Sequence, residues 1–115
     1  MPKKLIKSFK YAGLGAEYAW RTQRNLWLHL MAGLGVLALA VWLNFSFLEL
    51  AILLIVIFGV VVIELINTSL EELVNILSPE KRREAALAKN VAAAAVLLAA
   101  VGALLVGIIM FVPKL

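Results

Sequence analysis

The sequence predicts an all-α integral membrane protein with an N-terminal amphipathic surface helix followed by three transmembrane helices. Of its 115 residues, 64% are hydrophobic, which is more apolar surface than a soluble domain of this size can bury. Three long apolar runs are separated by short polar breaks, and most basic residues lie beside those runs. We therefore expect a single integral-membrane domain over residues 1–115, with no separate soluble domain.

The surface helix is predicted over residues 3–20. Leu5, Phe9 and Ala12 recur at helical spacing, while Lys7 and Lys10 fall mostly on the other face. This pattern is typical of a helix that lies in the head-group region of a membrane. The same charges interrupt any apolar run that a secretory signal would need. The alternative is a frayed basic N-terminus.

Three membrane spans are predicted over residues 26–43, 48–76 and 84–112. The first two are joined by the short turn Asn44-Phe45-Ser46, which suffices for an antiparallel helix pair. The second run is longer than a bilayer requires, so its last turns should project beyond the hydrocarbon.

Ser78-Pro79-Glu80 should end the second span, because proline cannot continue the helical hydrogen bonds. The same tripeptide offers a start for the next helix, with Pro79 at its first position. The third span is rich in alanine and contains no charge from 91 to 112. Small residues let helices approach closely, so we expect this span to pack within a bundle.

The basic residues predict the orientation. Ten of them would lie on one side of the membrane, namely Lys3, Lys4, Lys7, Lys10, Arg21, Arg24, Lys81, Arg82, Arg83 and Lys89. Only Lys114 would lie on the other side. This asymmetry places the N-terminus in the cytoplasm. The net charge of +4 is explained by the membrane, and we expect no nucleic-acid partner.

A polar stripe follows the apolar run of the second span. Glu64, Glu71 and Asn75 fall within about 40° of one another around a helix, and Asn67 lies about 60° to one side. Ionisable groups this close to a membrane are costly, and they indicate a functional site. The alternative is that Glu71 is simply solvated beyond the bilayer.

Several classes of site are excluded by what the sequence lacks. It contains no Gly-Lys-Ser/Thr phosphate loop and no Gly-x-Ser-x-Gly elbow. There is no cysteine, and His29 is the only histidine, so a zinc site is excluded and His29 is expected to be a structural hydrogen-bonding or head-group residue. The expected cytoplasmic rim consists of Gln23, Arg24, Asn25, Glu64, Asn67, Glu71, Asn75, Lys89 and Asn90. These residues indicate a site for a cation and an anion, and by themselves they do not indicate a kinase.

Four blocks of sequence resemble the small prokaryotic diacylglycerol kinase and undecaprenol kinase family, in the same order and spacing. They are Arg24-Asn25 with His29, then Glu64-x-x-Asn67-Thr68-Ser69-x-Glu71, then Ser78-Pro79-Glu80, then Ala88-Lys89-Asn90-x-Ala92-Ala93-x-Ala95-Val96-Leu97. The resemblance covers nearly the whole chain. The first block looks more like the undecaprenol kinase branch.

The resemblance implies a homotrimeric lipid kinase in the bacterial inner membrane, with a cytoplasmic active site shared between subunits. Such an enzyme transfers the γ-phosphate of MgATP to a membrane lipid alcohol, either undecaprenol or diacylglycerol. By the same resemblance, Glu64 would be the general base and Asn67 would orient the phosphate or the base. Glu71 would bind Mg²⁺, with Gln23 at the position of its partner ligand. Lys89 would contact the phosphates of ATP, with Asn75 and Asn90 beside it.

The chain departs from the family pattern at these same positions. The family has glutamate at Gln23 and aspartate at Asn75 and Asn90, and it usually has Tyr-His where this chain has Lys81-Arg82. An amide is a weaker Mg²⁺ ligand than a carboxylate, and the chain contains no aspartate at all. The alternative is therefore a catalytically impaired or redesigned homologue that keeps the fold.

Two further classes are open to test. A small multidrug-type transporter would need four spans and a carboxylate deep in the bilayer, whereas Glu64 is expected near the rim. A purely structural membrane scaffold would bind no nucleotide and would tolerate replacement of Glu64 and Lys89.

Overall fold

The computed structural model describes residues 2–80 and 82–115, which form four α-helices and one short 3₁₀ helix. The α-helices are α1 (Pro2–Thr22), α2 (Arg24–Trp42), α3 (Phe47–Leu77) and α4 (Arg83–Phe111), and the 3₁₀ helix is Val112–Lys114. No strand is present in the described part of the chain. The all-α prediction is therefore confirmed. Lys81 lies outside the described residues, so its place among the basic residues stays a prediction.

Three of these helices are long and apolar enough to cross a membrane: Arg24–Trp42, Phe47–Leu77 and Arg83–Lys114. Consecutive spans are antiparallel, with α3 packed between α2 and α4. Helix α1 is separated from α2 only by Gln23, whose backbone is extended. Ala19 is the buried residue of α1, so most of this helix remains exposed.

The turn between α2 and α3 is fixed by two local motifs. Asn44 has a φ of 61°, and the Asn44 and Phe45 N–H groups donate to the carbonyls of Val41 and Ala40. This pattern is the Schellman end of a helix. Ser46 then begins α3 with a reciprocal capping box, in which its side chain accepts from the Glu49 N–H and the Glu49 carboxylate accepts from the Ser46 N–H.

A small apolar core lies next to this turn. Ala40, Phe45 and Leu53 are buried there, and the Phe45 and Phe111 rings lie 4.7 Å apart between centroids. Lys114 pairs with Glu49 at 3.1 Å, which ties the end of α4 to the start of α3. The ends of all three spans are thus joined at the side opposite to the polar stripe.

Two expectations about α4 are changed by the structure. The helix begins at Arg83, with Arg82 as its N-cap residue, so the prediction that Pro79 is the first helical residue is wrong. Instead, Pro79 lies in a turn, and the Ser78 hydroxyl accepts from the Arg82 N–H at 3.5 Å. The alanine-rich α4 packs on α3, but Ala92 is its one buried residue within a single chain.

The left-handed backbone of Asn44 gives a stability prediction. Replacing Asn44 by glycine should leave the melting temperature in detergent nearly unchanged, since glycine has no Cβ to clash. Replacing it by valine should cost about 1–2 kcal/mol and lower the melting temperature. Tryptophan fluorescence during thermal unfolding measures both variants. Equal melting temperatures for the two variants would contradict the Schellman assignment.

Candidate functional site

The polar stripe of α3 begins with a carboxylate that is almost fully buried. Glu64 is 3% exposed, and the neighbouring Thr68 is also buried. The Thr68 hydroxyl donates to the Glu64 carbonyl oxygen at 2.9 Å, so this buried hydroxyl is satisfied within the helix. The Glu64 carboxylate requires a partner from elsewhere, because an isolated buried charge is costly.

His29 of α2 is that partner. Its Nδ1 lies 2.9 Å from Oε1 of Glu64. The two atoms are close but are not aligned as a hydrogen bond, and neither has a hydrogen-bond partner among the described residues. The Glu64 side chain is 4% exposed and the His29 side chain is 33% exposed. The Glu64 side chain is therefore shielded from the surface, whereas the His29 side chain is partly accessible.

Asn67 and Glu71 form a second polar group one turn further along α3. The Asn67 Nδ2 group donates to Glu71 Oε1 at 3.2 Å. The Asn67 Oδ1 atom is buried and has no hydrogen-bond partner in the described part of the chain. A carboxylate and a free amide oxygen thus lie next to each other, and both are the type of ligand that Mg²⁺ prefers.

Asn75 and Lys89 form a third group, which joins the end of α3 to the start of α4. The Lys89 ammonium donates to Asn75 Oδ1 in a short hydrogen bond. The contact holds the lysine at the rim, where an anion can approach it. Asn90, the next residue, is exposed on α4.

The predicted site is therefore brought together only in part within one chain. Glu64 and Asn75 are eleven residues apart, which separates them by about 16 Å along the helix axis. Gln23 is half-buried between α1 and α2, and the hydrogen bonds found for it in the described residues come from its backbone. Its predicted partnership with Glu71 stays a prediction.

Helix α1 is attached to the same end of the bundle by a side chain that the sequence did not single out. The Tyr18 hydroxyl donates to Glu72 Oε1 at 2.9 Å. The hydrogen bond to this carboxylate raises the pKa of Tyr18 above its usual value, since the bond and the negative charge both favour the neutral phenol. Neither this contact nor the His29–Glu64 pair is visible in the spacing of residues along one helix.

The fold and site define an integral membrane protein with a polar site at one end of three spanning helices. The comparisons with known proteins give its family. Residues 10–111 match the family described as prokaryotic diacylglycerol kinase, and the chain belongs to that family.

Two relatives align over almost all of the chain. A diacylglycerol kinase from Synechocystis sp. is 39% identical over 112 residues, which are 96% of this chain and 64% of that protein. An undecaprenol kinase from Bacillus subtilis is 35% identical over 112 residues, which are 97% of this chain and 91% of that protein. The chain thus spans slightly less than two thirds of the length of the Synechocystis relative.

The Tyr18–Glu72 contact gives a pH prediction. A raised pKa means that the neutral phenol is favoured in the folded state, so the contact is present below the ordinary tyrosine pKa near 10 and is lost as the pH rises through the raised value. Replacing Tyr11 by phenylalanine leaves Tyr18 as the only tyrosine. Ultraviolet absorbance of tyrosinate should then give a lower pKa for Tyr18 when Glu72→Gln is added.

The matched control is Glu17→Gln. Glu17 is next to Tyr18 in sequence, but its carboxylate pairs with Arg21 at 2.6 Å. This change should leave the titration of Tyr18 nearly where it was. A shift of the same size in both variants would contradict the contact with Glu72.

Proposed function

We propose that the protein is a lipid kinase that transfers the γ-phosphate of MgATP to a membrane lipid alcohol. The observation that carries the proposal is the row of polar groups on α3 and α4, which combines a buried carboxylate at Glu64, oxygen ligands at Asn67 and Glu71, and a cation at Lys89. Membership of the prokaryotic diacylglycerol kinase family supports phosphoryl transfer as the reaction of these groups. The names of the two relatives support undecaprenol or diacylglycerol as the acceptor.

Each group in the row has a role in this proposal. Lys89 binds the phosphates of ATP as a point charge. The Glu64 carboxylate accepts the proton of the lipid hydroxyl. Asn67 orients the phosphate between these two groups. The axial distance of about 16 Å from Glu64 to Asn75 leaves room for an extended triphosphate along the row.

The oxygen atoms of Glu71 and Asn67 fit a magnesium ion. Asn67 Oδ1 is buried without a partner, beside a carboxylate that is half-buried. When bound, Mg²⁺ neutralises the charge of the phosphate oxygens. The described residues contain no group of three histidine, cysteine or acidic side chains that would hold a metal ion by themselves. The amide of Gln23 and the ATP phosphates would supply the remaining oxygens.

The basic residues and the family support a bacterial inner-membrane location with this site facing the cytoplasm. We also propose a homotrimer. Within one chain, α4 buries only Ala92 among its described residues, and its alanine-rich surface suits close packing against another subunit. Native mass spectrometry in detergent would give the number of subunits.

The defining experiment is the transfer of γ-labelled phosphate from MgATP to undecaprenol and to diacylglycerol in mixed micelles. We expect a labelled lipid, and Glu64→Gln should lower the rate by about 10²–10⁴-fold, the usual contribution of proton transfer. A folded protein that labels neither lipid would contradict the proposal.

A second candidate is a homologue with impaired activity, and the amides at Gln23, Asn75 and Asn90 favour it. Asn75 keeps the hydrogen bond to Lys89, so the amide preserves the shape of the site while it lacks the negative charge of aspartate.

Restoring the acids tests this candidate. The triple variant Gln23→Glu, Asn75→Asp, Asn90→Asp should phosphorylate lipid several-fold faster if the lost charges limit the reaction, because carboxylates bind Mg²⁺ better than amides. The control converts Asn44, which lies in the turn at the opposite end of the bundle, to aspartate. Unchanged activity in the triple variant would mean that the amides are not limiting.

A further inference from the structure

The junction between α1 and α2 is held against α3 by one contact on each side of Gln23. On the α2 side, Nδ1 of His29 lies 2.9 Å from Oε1 of Glu64. On the α1 side, the Tyr18 hydroxyl donates to Oε1 of Glu72 at 2.9 Å. Because Gln23 lies between Tyr18 and His29 in sequence, the two contacts bracket it.

The His29–Glu64 contact sets the level of Gln23 along the bundle. Gln23 precedes His29 by six residues, and Glu71 follows Glu64 by seven. Since α2 and α3 are antiparallel, both steps lead toward the same end of the bundle, over about 9 Å in α2 and about 10 Å in α3. Gln23 and Glu71 therefore lie at nearly the same level.

The last turn of α1 connects Tyr18 firmly to Gln23. The Thr22 hydroxyl donates to the Tyr18 carbonyl oxygen at 2.8 Å, and the Gln23 N–H donates to the Ala19 carbonyl oxygen at 2.8 Å. Ala19 is also the buried residue of α1. A displacement of Tyr18 from α3 would therefore move Gln23 as well.

The two neighbouring carboxylates of α3 have different partners. Oε1 of Glu71 accepts from the Asn67 amide of the same helix, whereas Oε1 of Glu72 accepts from Tyr18 of α1. Glu72 has no part in the row of groups assigned to phosphoryl transfer. Its contact lies one residue from a proposed magnesium ligand, and it joins that part of α3 to the end of α1.

We propose that Tyr18 is a positioning residue of the magnesium site, which holds the α1–α2 junction where the Gln23 amide and the Glu71 carboxylate can share one ion. The inference rests on the lipid kinase function proposed above. Tyr18 does not bind the ion, since its hydroxyl donates to Glu72. An amide oxygen is a weaker Mg²⁺ ligand than a carboxylate, so a site with Gln23 depends more strongly on how well this oxygen is placed.

Removing the hydroxyl alone tests the effect on the reaction. Tyr18→Phe should raise the free Mg²⁺ concentration for half-maximal phosphoryl transfer by about 2–10-fold, the usual effect of one hydrogen bond on an equilibrium constant. The KM for the lipid should stay nearly unchanged, because Glu72 lies about 12 Å along the helix axis from Glu64. Tyr18 is 47% exposed, so the variant should fold, and its melting temperature checks this.

Two variants of Glu72 separate the hydrogen bond from the charge. Glu72→Gln and Glu72→Leu lose the same charge, but only glutamine keeps an oxygen that can accept from Tyr18. The leucine variant should therefore need more Mg²⁺ than the glutamine variant. Adding Tyr18→Phe should raise the requirement of the glutamine variant and leave that of the leucine variant unchanged. The control Glu17→Gln loses a pair with Arg21 within α1, and it should keep the Mg²⁺ requirement of the unaltered protein.

A cross-linking experiment gives a readout that needs no Mg²⁺, ATP or activity. The chain has no cysteine, so Gln23→Cys with Glu71→Cys introduces the only two thiols. A short bismaleimide should bridge them within one chain, and adding Tyr18→Phe should lower the yield several-fold, whereas adding Glu17→Gln should not. Intact-mass spectrometry separates one bridging reagent from two singly attached ones, and a denaturing gel detects links between chains.

Four results would overturn the proposal. Tyr18→Phe could leave either the Mg²⁺ requirement or the cross-linking yield unchanged, which would mean that the contact does not position the site. It could raise the KM for the lipid as much as the Mg²⁺ requirement, which would indicate a general structural effect. A cross-link that joins two chains would place the junction beside a neighbouring subunit instead.

The fourth result is a folded, unaltered protein that labels neither lipid. The lipid kinase function would then fail, and the role of Tyr18 in that reaction would fail with it. The cross-linking yields distinguish this case, because they report whether Tyr18 sets the position of the junction in a protein with or without activity.

Discussion

The carboxylate of Glu64 is almost fully buried, and a buried charge is stable only beside a polar partner. His29 supplies that partner, so one face of α2 must turn toward α3 at this level. Further along, a Cβ on Gly33 would lie 2.8 Å from Cγ2 of Ile57, and glycine there permits the close approach of the two helices. The apolar core around Phe45 holds their opposite ends together. The polar pair and the apolar core therefore fix the same helix packing from both ends.

The helices and their approximate ends could be predicted from the sequence, because apolar runs and the turn residues around Asn44 and Ser78 are local signals. The role of Pro79 was predicted wrongly, since Pro79 lies in a turn and the Ser78 hydroxyl accepts from the Arg82 N–H instead. The polar stripe on α3 was also predicted, because the helical spacing of residues within one segment is a local signal. Contacts between helices depend on their relative rotation and depth, which no local pattern encodes. For this reason His29 was expected to be a structural hydrogen-bonding or head-group residue, and Glu64 was not identified as the residue it contacts.

The amides of the site preserve hydrogen bonding and remove charge. Asn75 accepts a hydrogen bond from Lys89, as an aspartate would, yet it does not balance the charge of the lysine. In the proposed kinase, a less negative site would bind Mg²⁺ more weakly but would repel ATP less. The two effects oppose each other, so the resemblance to an active family does not by itself fix the rate. The buried Glu64 and its neighbour His29 are untouched by these changes.

The most direct test of the central claim is whether the imidazole of His29 lies beside the carboxylate of Glu64. The chain has a single histidine, so selective ¹⁵N labelling gives an NMR signal for one imidazole only. The account predicts that Glu64→Gln shifts the ¹⁵N signals of this imidazole, because Nδ1 of His29 lies 2.9 Å from Oε1 of Glu64. Identical spectra with and without the Glu64 carboxylate would contradict the account.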